Sequence, residues 1–412
     1  MNSKFPNTNA LLYCCAILLA VTASAFGQAG QLDSTFGNGG IASQQAVIAN
    51  TTNSYSVGGV AIQSDGKIVV AGGVPGSNDF TVPAVLRFLS NGSLDKTFGT
   101  TGVALLPSSF GGFGALAIQS DGKILVTTNA SSSANGEVVR YTTAGKLDST
   151  FGSGGAVTFS LTAISGLALQ PDGRILVSVQ PLRNTKFEVA RLLTNGAVDT
   201  SFGTNGFAFP PGGNGALQVL ANGEILVFGG LISRLTSSGA IDAQFGVNGQ
   251  LLAPDSGHAL AASGDILAAG SLVDDPTVPN SGLATFAYQS IGIGDPAFGT
   301  NGGVSTPFVG FPRVTAAGMA LESTGSIVEV GTVSSTSQGA FGLVRYTPQG
   351  QLDNGFGSGG TLTTSFGGGS APTASAITIQ SDDKIVVAGT VESVAPHGQF
   401  NTALVVARYL GK

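Results

Sequence analysis

The sequence predicts an all-β protein: a seven-bladed β-propeller of four-stranded antiparallel blades, closed by pairing its N-terminal strand with its C-terminal blade. Three observations carry this. Two short signatures alternate along the chain, seven times each. The composition, with 63 Gly, 42% hydrophobic and only 10% charged residues, fits many short apolar strands joined by glycine turns. The two ends of the repeated region are the two halves of one unit.

The first 25 residues read as a secretory leader. Lys4 precedes an apolar stretch from Ala10 to Val21, and Ala23-Ser24-Ala25 follows as a small-x-small cleavage pattern, so the mature chain is expected to start at Phe26. A lipid-anchored reading through Cys14 or Cys15 is weaker, because apolar residues continue past both. The leader is too short for a membrane span, and no later run approaches the length of one. The expected organisation is thus a leader at 1–25 and a single propeller domain at 26–412, secreted, periplasmic or at the cell surface. Both cysteines fall in the leader, which removes disulfides, thiolate chemistry and cysteine-bound metals from the mature chain. The formal charge is −6, and one unit more negative without Lys4. With no basic run, neither nucleic acid nor an anionic membrane surface is an expected partner.

The first signature is an apolar pair, a polar turn with Gly, and an apolar run. It reads AIQSDGKIVV from Ala61, AIQSDGKILV from Ala117 and ALQPDGRILV from Ala168, and recurs in more worn form from Gln218, Leu260, Ala320 and Thr378. The second is Asp-x-x-Phe-Gly, at Asp33, Asp95, Asp148, Asp199, Asp242, Asp295 and Asp353, with Phe36, Phe98, Phe151, Phe202, Phe245, Phe298 and Phe356. Successive Asp residues lie 62, 53, 51, 43, 53 and 58 apart, so the unit has a constant core and connections of varying length. In the second unit, segments 116–119 and 123–126 flank an Asp-Gly turn that tolerates positive φ, and 137–141 and 146–151 flank a second turn. Four strands in this length make one propeller blade.

Closure follows from the ends. The unit begins at Leu32 to Gly37, read as a last strand, and finishes at Ala407 to Lys412, read as a third strand; joined, they approximate 140–152. A ring uses such a split to remove both free sheet edges, and an open solenoid does not need it. These units resemble the delta-60 repeat family of bacterial secreted and surface proteins over essentially the whole mature chain. The resemblance implies the repeat architecture and carries no common biochemical role.

Charged repeat residues read first as structure. Arg87, Arg140, Arg191, Arg234 and Arg345 each stand eight residues before their Asp, and Arg408 takes that place for Asp33 across the chain ends. Opposite charges so placed face each other across a hairpin. The fifth unit has Ala287 instead, so Asp295 is expected to use a backbone donor. The seven Phe residues are expected to fill the gaps between blades. Glycine-rich 366–370 lacks the strand-to-helix context and Gly-Lys-Ser/Thr signature of a phosphate loop.

Binding is expected on the face that carries the variable connections: 73–83, 129–136, 180–186, 271–281 and 390–401, joined by 41–56 and 361–374. Asp79, Phe80, Phe187, His258 and His397 are the candidate binding residues. Asp274-Asp275 is a weak candidate for Ca²⁺, and no other cofactor is implied. The mature chain offers only His258 and His397 as neutral-pH bases, without a Ser or Asp constellation around either. The absence of Trp argues against a lectin. The expected function is non-enzymatic binding or scaffolding, by a monomer, of an extracellular protein, peptide or polymer. A metal-assisted propeller hydrolase or lyase acting on a polysaccharide or lactone is the competing expectation.

Overall fold

A computed structural model of the chain describes residues 28–45, 54–76, 81–106, 111–130, 135–160, 162–181, 186–212, 215–253, 257–260, 264–272, 282–367, 370–394 and 400–411. The leader, Asp79, Phe80, Asp274, Asp275 and His397 lie outside the described residues.

Seven four-stranded antiparallel sheets follow one another around a ring. In chain order the blades span 56–105, 111–159, 162–208, 217–252, 257–307 and 313–364, and the seventh joins 371–409 to 41–45. Each starts with a hairpin whose turn is always five residues long, from 63–67 in the first blade to 380–384 in the last. In the second blade Gly122 takes φ +81° there, a conformation in which a side chain is strained. The Asp121 carboxylate accepts the Lys123 amide at 3.1 Å and holds the turn. The connection between second and third strands obeys no such rule, running from 228–230 in the fourth blade to 273–281 in the fifth.

The inner strands carry bulges, as between Val57 and Gly59 or Ala316 and Gly318, which sharpen the local twist where the blades converge. The middle strands are covered on both sides. Val69 and Ala71 face Phe98, Val126 and Val139 of the next seam, while Ile68 and Val70 pack against Phe36 and Val406 of the previous one. Such strands therefore read as continuous apolar runs. Burying each Val, Leu or Phe contributes about 1.5–3 kcal/mol, so the core is distributed over seven seams instead of one centre. Third-strand tyrosines tie blades together as well: Tyr141 donates to the Leu105 carbonyl at 2.9 Å and Tyr409 to Thr364 Oγ1 at 2.8 Å.

The Asp-x-x-Phe-Gly segment is not the fourth strand, which corrects the reading of 146–151. Leu147 makes a single bridge to Tyr141, the chain then turns, and the fourth strand is Ala156–Phe159. The reason is the phenylalanine. Phe151 is fully buried and its amide is drawn back to the Asp148 carbonyl at 3.0 Å, while Gly152 donates across the seam to Asn195 at 2.8 Å. The motif is a strap between blades.

The ring closes in the same idiom. Ile41–Gln45, not 32–37, is the closing strand, antiparallel to Ala407–Ala403. Ahead of it, Asp33 donates its amide to Arg408 at 2.8 Å and Gly30 to Leu410 at 2.7 Å, as Asp95 does to Arg87 and Gly92 to Leu89 in the first blade. Gly30 has φ +87°, and a Cβ there would lie 2.9 Å from the Gly357 amide, so the closing turn requires glycine.

Candidate functional site

Six of the seven seams share one polar arrangement on the face of the short turns. The arginine of the third strand points beneath its own blade, where Nε meets the Asp Oδ2: 2.9 Å for Arg87 and Asp95, 2.8 Å for Arg191 and Asp199, 2.7 Å for Arg234 and Asp242, 2.8 Å for Arg345 and Asp353, and 3.0 Å for Arg408 and Asp33. Arg140 and Asp148 form the sixth pair at 2.9 Å, with the N–H not aimed at the oxygen. Nη1 crosses the seam to a carbonyl of the next blade: Thr143, Thr194, Ser237, Ser290, Gly411 and Ser90 accept from Arg87, Arg140, Arg191, Arg234, Arg345 and Arg408. Each guanidinium also lies over its blade's phenylalanine, 4.4 Å from the Phe98 centroid and 4.8 Å from that of Phe245.

The carboxylate is held from a second side. Its Oδ1 accepts the amide two residues on in every blade, for example Thr97 at 3.1 Å and Ala297 at 3.0 Å. The backbone donor expected for Asp295 alone is thus common to all seven. Lys123, Arg174 and Lys384, from the first turn, add further cations beside Asp148, Asp199 and Asp33. Burial by itself raises the Asp148 carboxyl, but hydrogen bonds from Thr150 together with Arg140 and Lys123 outweigh it and hold the group at about 2.

The fifth seam keeps the backbone and lacks the cation. Ala287 donates to the Gly302 carbonyl at 2.9 Å, Asp295 donates to Ala287 at 2.9 Å, and Gly299 crosses to Gln349 at 2.9 Å, as their counterparts do elsewhere. Phe298 is in place and 2% exposed. Where the guanidinium would lie there is a cavity of about 370 Å³, lined by Asp265, Ala287, Asp295, Phe298, Thr324 and Pro348 among others. Among the described residues no arginine or lysine is paired with Asp295 or stacked on Phe298. Asp265 stands where Lys67, Lys123, Arg174 and Lys384 stand in four blades and where Glu224 stands in the fourth, 3.5 Å from Arg234, so a second carboxylate takes the place of the second cation. Pro348 holds the position whose carbonyl accepts the arginine in the other seams.

The remaining candidates are scattered. Phe187 is half-buried just before the third strand of the third blade, Glu188–Leu192. His258 lies in the first strand of the fifth blade, paired with Ala268. Asp265 was missed as a candidate although aligning the seven first turns shows it and Glu224 as carboxylates where four blades carry a cation. Glu329 and Glu322 sit at seams: Glu329 is fully buried against Thr285, and Glu322 accepts from Arg345 Nη1 at 3.2 Å. Among the described residues no group of three or more His, Cys, Asp or Glu could hold a metal, and no helix is long and apolar enough to cross a membrane.

This fold and its seams define a β-propeller repeat protein. Residues 63–98, 119–151, 170–202 and 322–356 match the family model described as "Domain of unknown function (DUF5122) beta-propeller", each match ending on the recurrent phenylalanine. No curated protein sequence matches the chain. Among solved structures, the polysaccharide lyase Uly1 is similar at 10% identity and a TM-score of 0.47, over 92% of this chain and 97% of that one. The gluconolactonase XC5397 from Xanthomonas campestris is similar at 14% identity and 0.36, over 86% and 87%. The PQQ-bound aldose sugar dehydrogenase from Streptomyces coelicolor follows at 13% identity and 0.39, over 89% and 98%. Likenesses at these scores assign no chemistry to the chain.

Proposed function

We propose that this chain is a secreted, non-enzymatic binding or scaffold protein of the delta-60 repeat kind. Its leader is removed near Ala25, and residues 26–412 act as one propeller domain that engages an extracellular protein, peptide or polymer. One observation carries the reading: in six blades the recurrent charged residues pair with one another, and their guanidinium groups bond to the next blade. Residues so engaged make a rigid ring and leave recognition to what differs between blades. The differences lie in the connections between second and third strands and between blades, on the face opposite the five-residue turns.

The test exchanges the connections at 76–80, 273–281 and 395–399 for short Gly-Ser turns and compares capture of a partner from the envelope or medium of the producing cell. Capture by the native chain and its loss in the exchanged chain, at unchanged melting temperature, is the expected result. Turnover of a polysaccharide or lactone that depends on added Ca²⁺ would replace this reading with the enzymatic one.

A further inference from the structure

We propose that the fifth seam is a receptor for a guanidinium group, above all the side chain of an arginine on a bound polypeptide. The inference deepens the binding reading, on which it rests, and adds a second site on the opposite face of the ring.

The strongest argument is internal. Six times in this chain the same pocket, formed by an Asp carboxylate, a phenylalanine ring and a carbonyl of the next blade, holds a guanidinium. The seventh pocket is built to the same backbone hydrogen bonds and lacks only the side chain, because position 287 is alanine. A site that needs no rearrangement to accept its ligand avoids the ordering cost that weakens most surface contacts. The cavity of about 370 Å³ is in the lower part of the size range of small-ligand sites. Its rim residues Ala297, Thr324, Pro348 and Gln349 are exposed, so it opens to solvent.

The chemistry selects the ligand. Asp295 and Asp265 make the cavity anionic, the same pair of carboxylates that Asp242 and Glu224 present to Arg234 in the fourth blade, so the slot favours a cation. A planar group can lie on the Phe298 ring and still present several N–H donors to a carboxylate and a carbonyl; an ammonium cannot do both equally well. A divalent metal would use the two carboxylates and ignore the ring.

Isothermal titration of the mature chain with Nα-acetyl-arginine methylamide tests this, with ethylguanidine, the corresponding lysine amide and Ca²⁺ as comparison probes. We expect one saturable site for the arginine probe, at least tenfold tighter than for lysine, weakened at least tenfold in D295N and absent in A287R, where the new side chain fills the slot. A287R should also melt higher than the native chain. Tighter binding of the arginine amide than of ethylguanidine identifies a polypeptide as the source of the group; equal binding identifies a free guanidinium compound. No saturable binding, binding that persists in both variants, or a preference for Ca²⁺ overturns the proposal. Partner capture through the variable connections separates the two readings. Absent guanidinium binding with capture intact removes only the receptor, whereas loss of capture with guanidinium binding intact removes the variable-face reading.

Discussion

The Thr285 hydroxyl donates a 2.8 Å hydrogen bond to Glu329 Oε2 across the seam between the fifth and sixth blades. The first three blades carry Val70, Val126 and Val177 where Glu329 stands, and Val85, Val138 and Val189 where Thr285 stands, so the two polar residues replace an apolar contact together. Glu329 is fully buried, and its Oε1 has no hydrogen-bond partner among the described residues.

Burial pushes the Glu329 carboxyl up to about 8, against the pull of Thr285 and the Ala284 backbone. The folded chain therefore keeps a proton that the unfolded chain releases near the ordinary value of 4.5. Stability should fall as pH rises from about 4.5 to about 8, by up to about 1.4 kcal/mol per pH unit. Urea unfolding of the native chain and of E329V across that window checks this. The variant should lose the slope and be the more stable at the alkaline end; equal slopes would show that Glu329 titrates normally.

The Asp148 group has the opposite sign. Held at about 2 when folded and near 3.8 when unfolded, it contributes stability above the higher value that is lost as pH falls through the lower one. Asp33, Asp95 and Asp199 are shifted the same way. The melting temperature should thus drop steeply below about pH 4. In D148N the drop should be shallower and the neutral-pH melting temperature lower.

Removing Arg191 leaves Asp199 to Arg174 and Ser201 and frees the Ser237 carbonyl and the Phe202 ring. R191A should lose about 2 kcal/mol, since the buried carboxylate keeps Arg174 but loses its closer cation and the seam loses a charge-assisted hydrogen bond. R191A/D199N should recover part of that loss, as a double-mutant cycle by thermal unfolding will show. Binding at the fifth seam should be unchanged in both variants.

Deleting 28–45 removes the closing strand, Phe36 and the Asp33 partner of Arg408. The Phe400–Tyr409 strand then becomes a bare edge. The shortened chain should melt lower and self-associate by light scattering. A monomer with native stability would show that closure contributes little.

Much of the fold was legible because its signals are local. Asp-Gly turns, apolar runs and the Asp-x-x-Phe-Gly motif each occupy a few adjacent residues, and the arginine eight residues before the aspartate marks a hairpin. The fourth strand was misplaced onto 146–151 because Leu147 and Phe151 look like alternating strand residues, while the seam pulls Phe151 out of the sheet. The Ala287 substitution was visible too, but its consequence was not.

By itself the sequence determined the ring: seven blades, their hairpins, the split unit that closes them, and the one blade without its arginine. Tertiary structure alone decided what the arginines reach. The acceptor of Arg87 is the Thr143 carbonyl, 56 residues on in the next blade, and the contact exists only because the ring sets two turns against each other. The cavity under Ala287, the alignment of Asp265 with Asp295 around Phe298, and the raised pKa of Glu329 have the same origin. Desolvation and shape arise where two blades meet, and no local period of the chain encodes them.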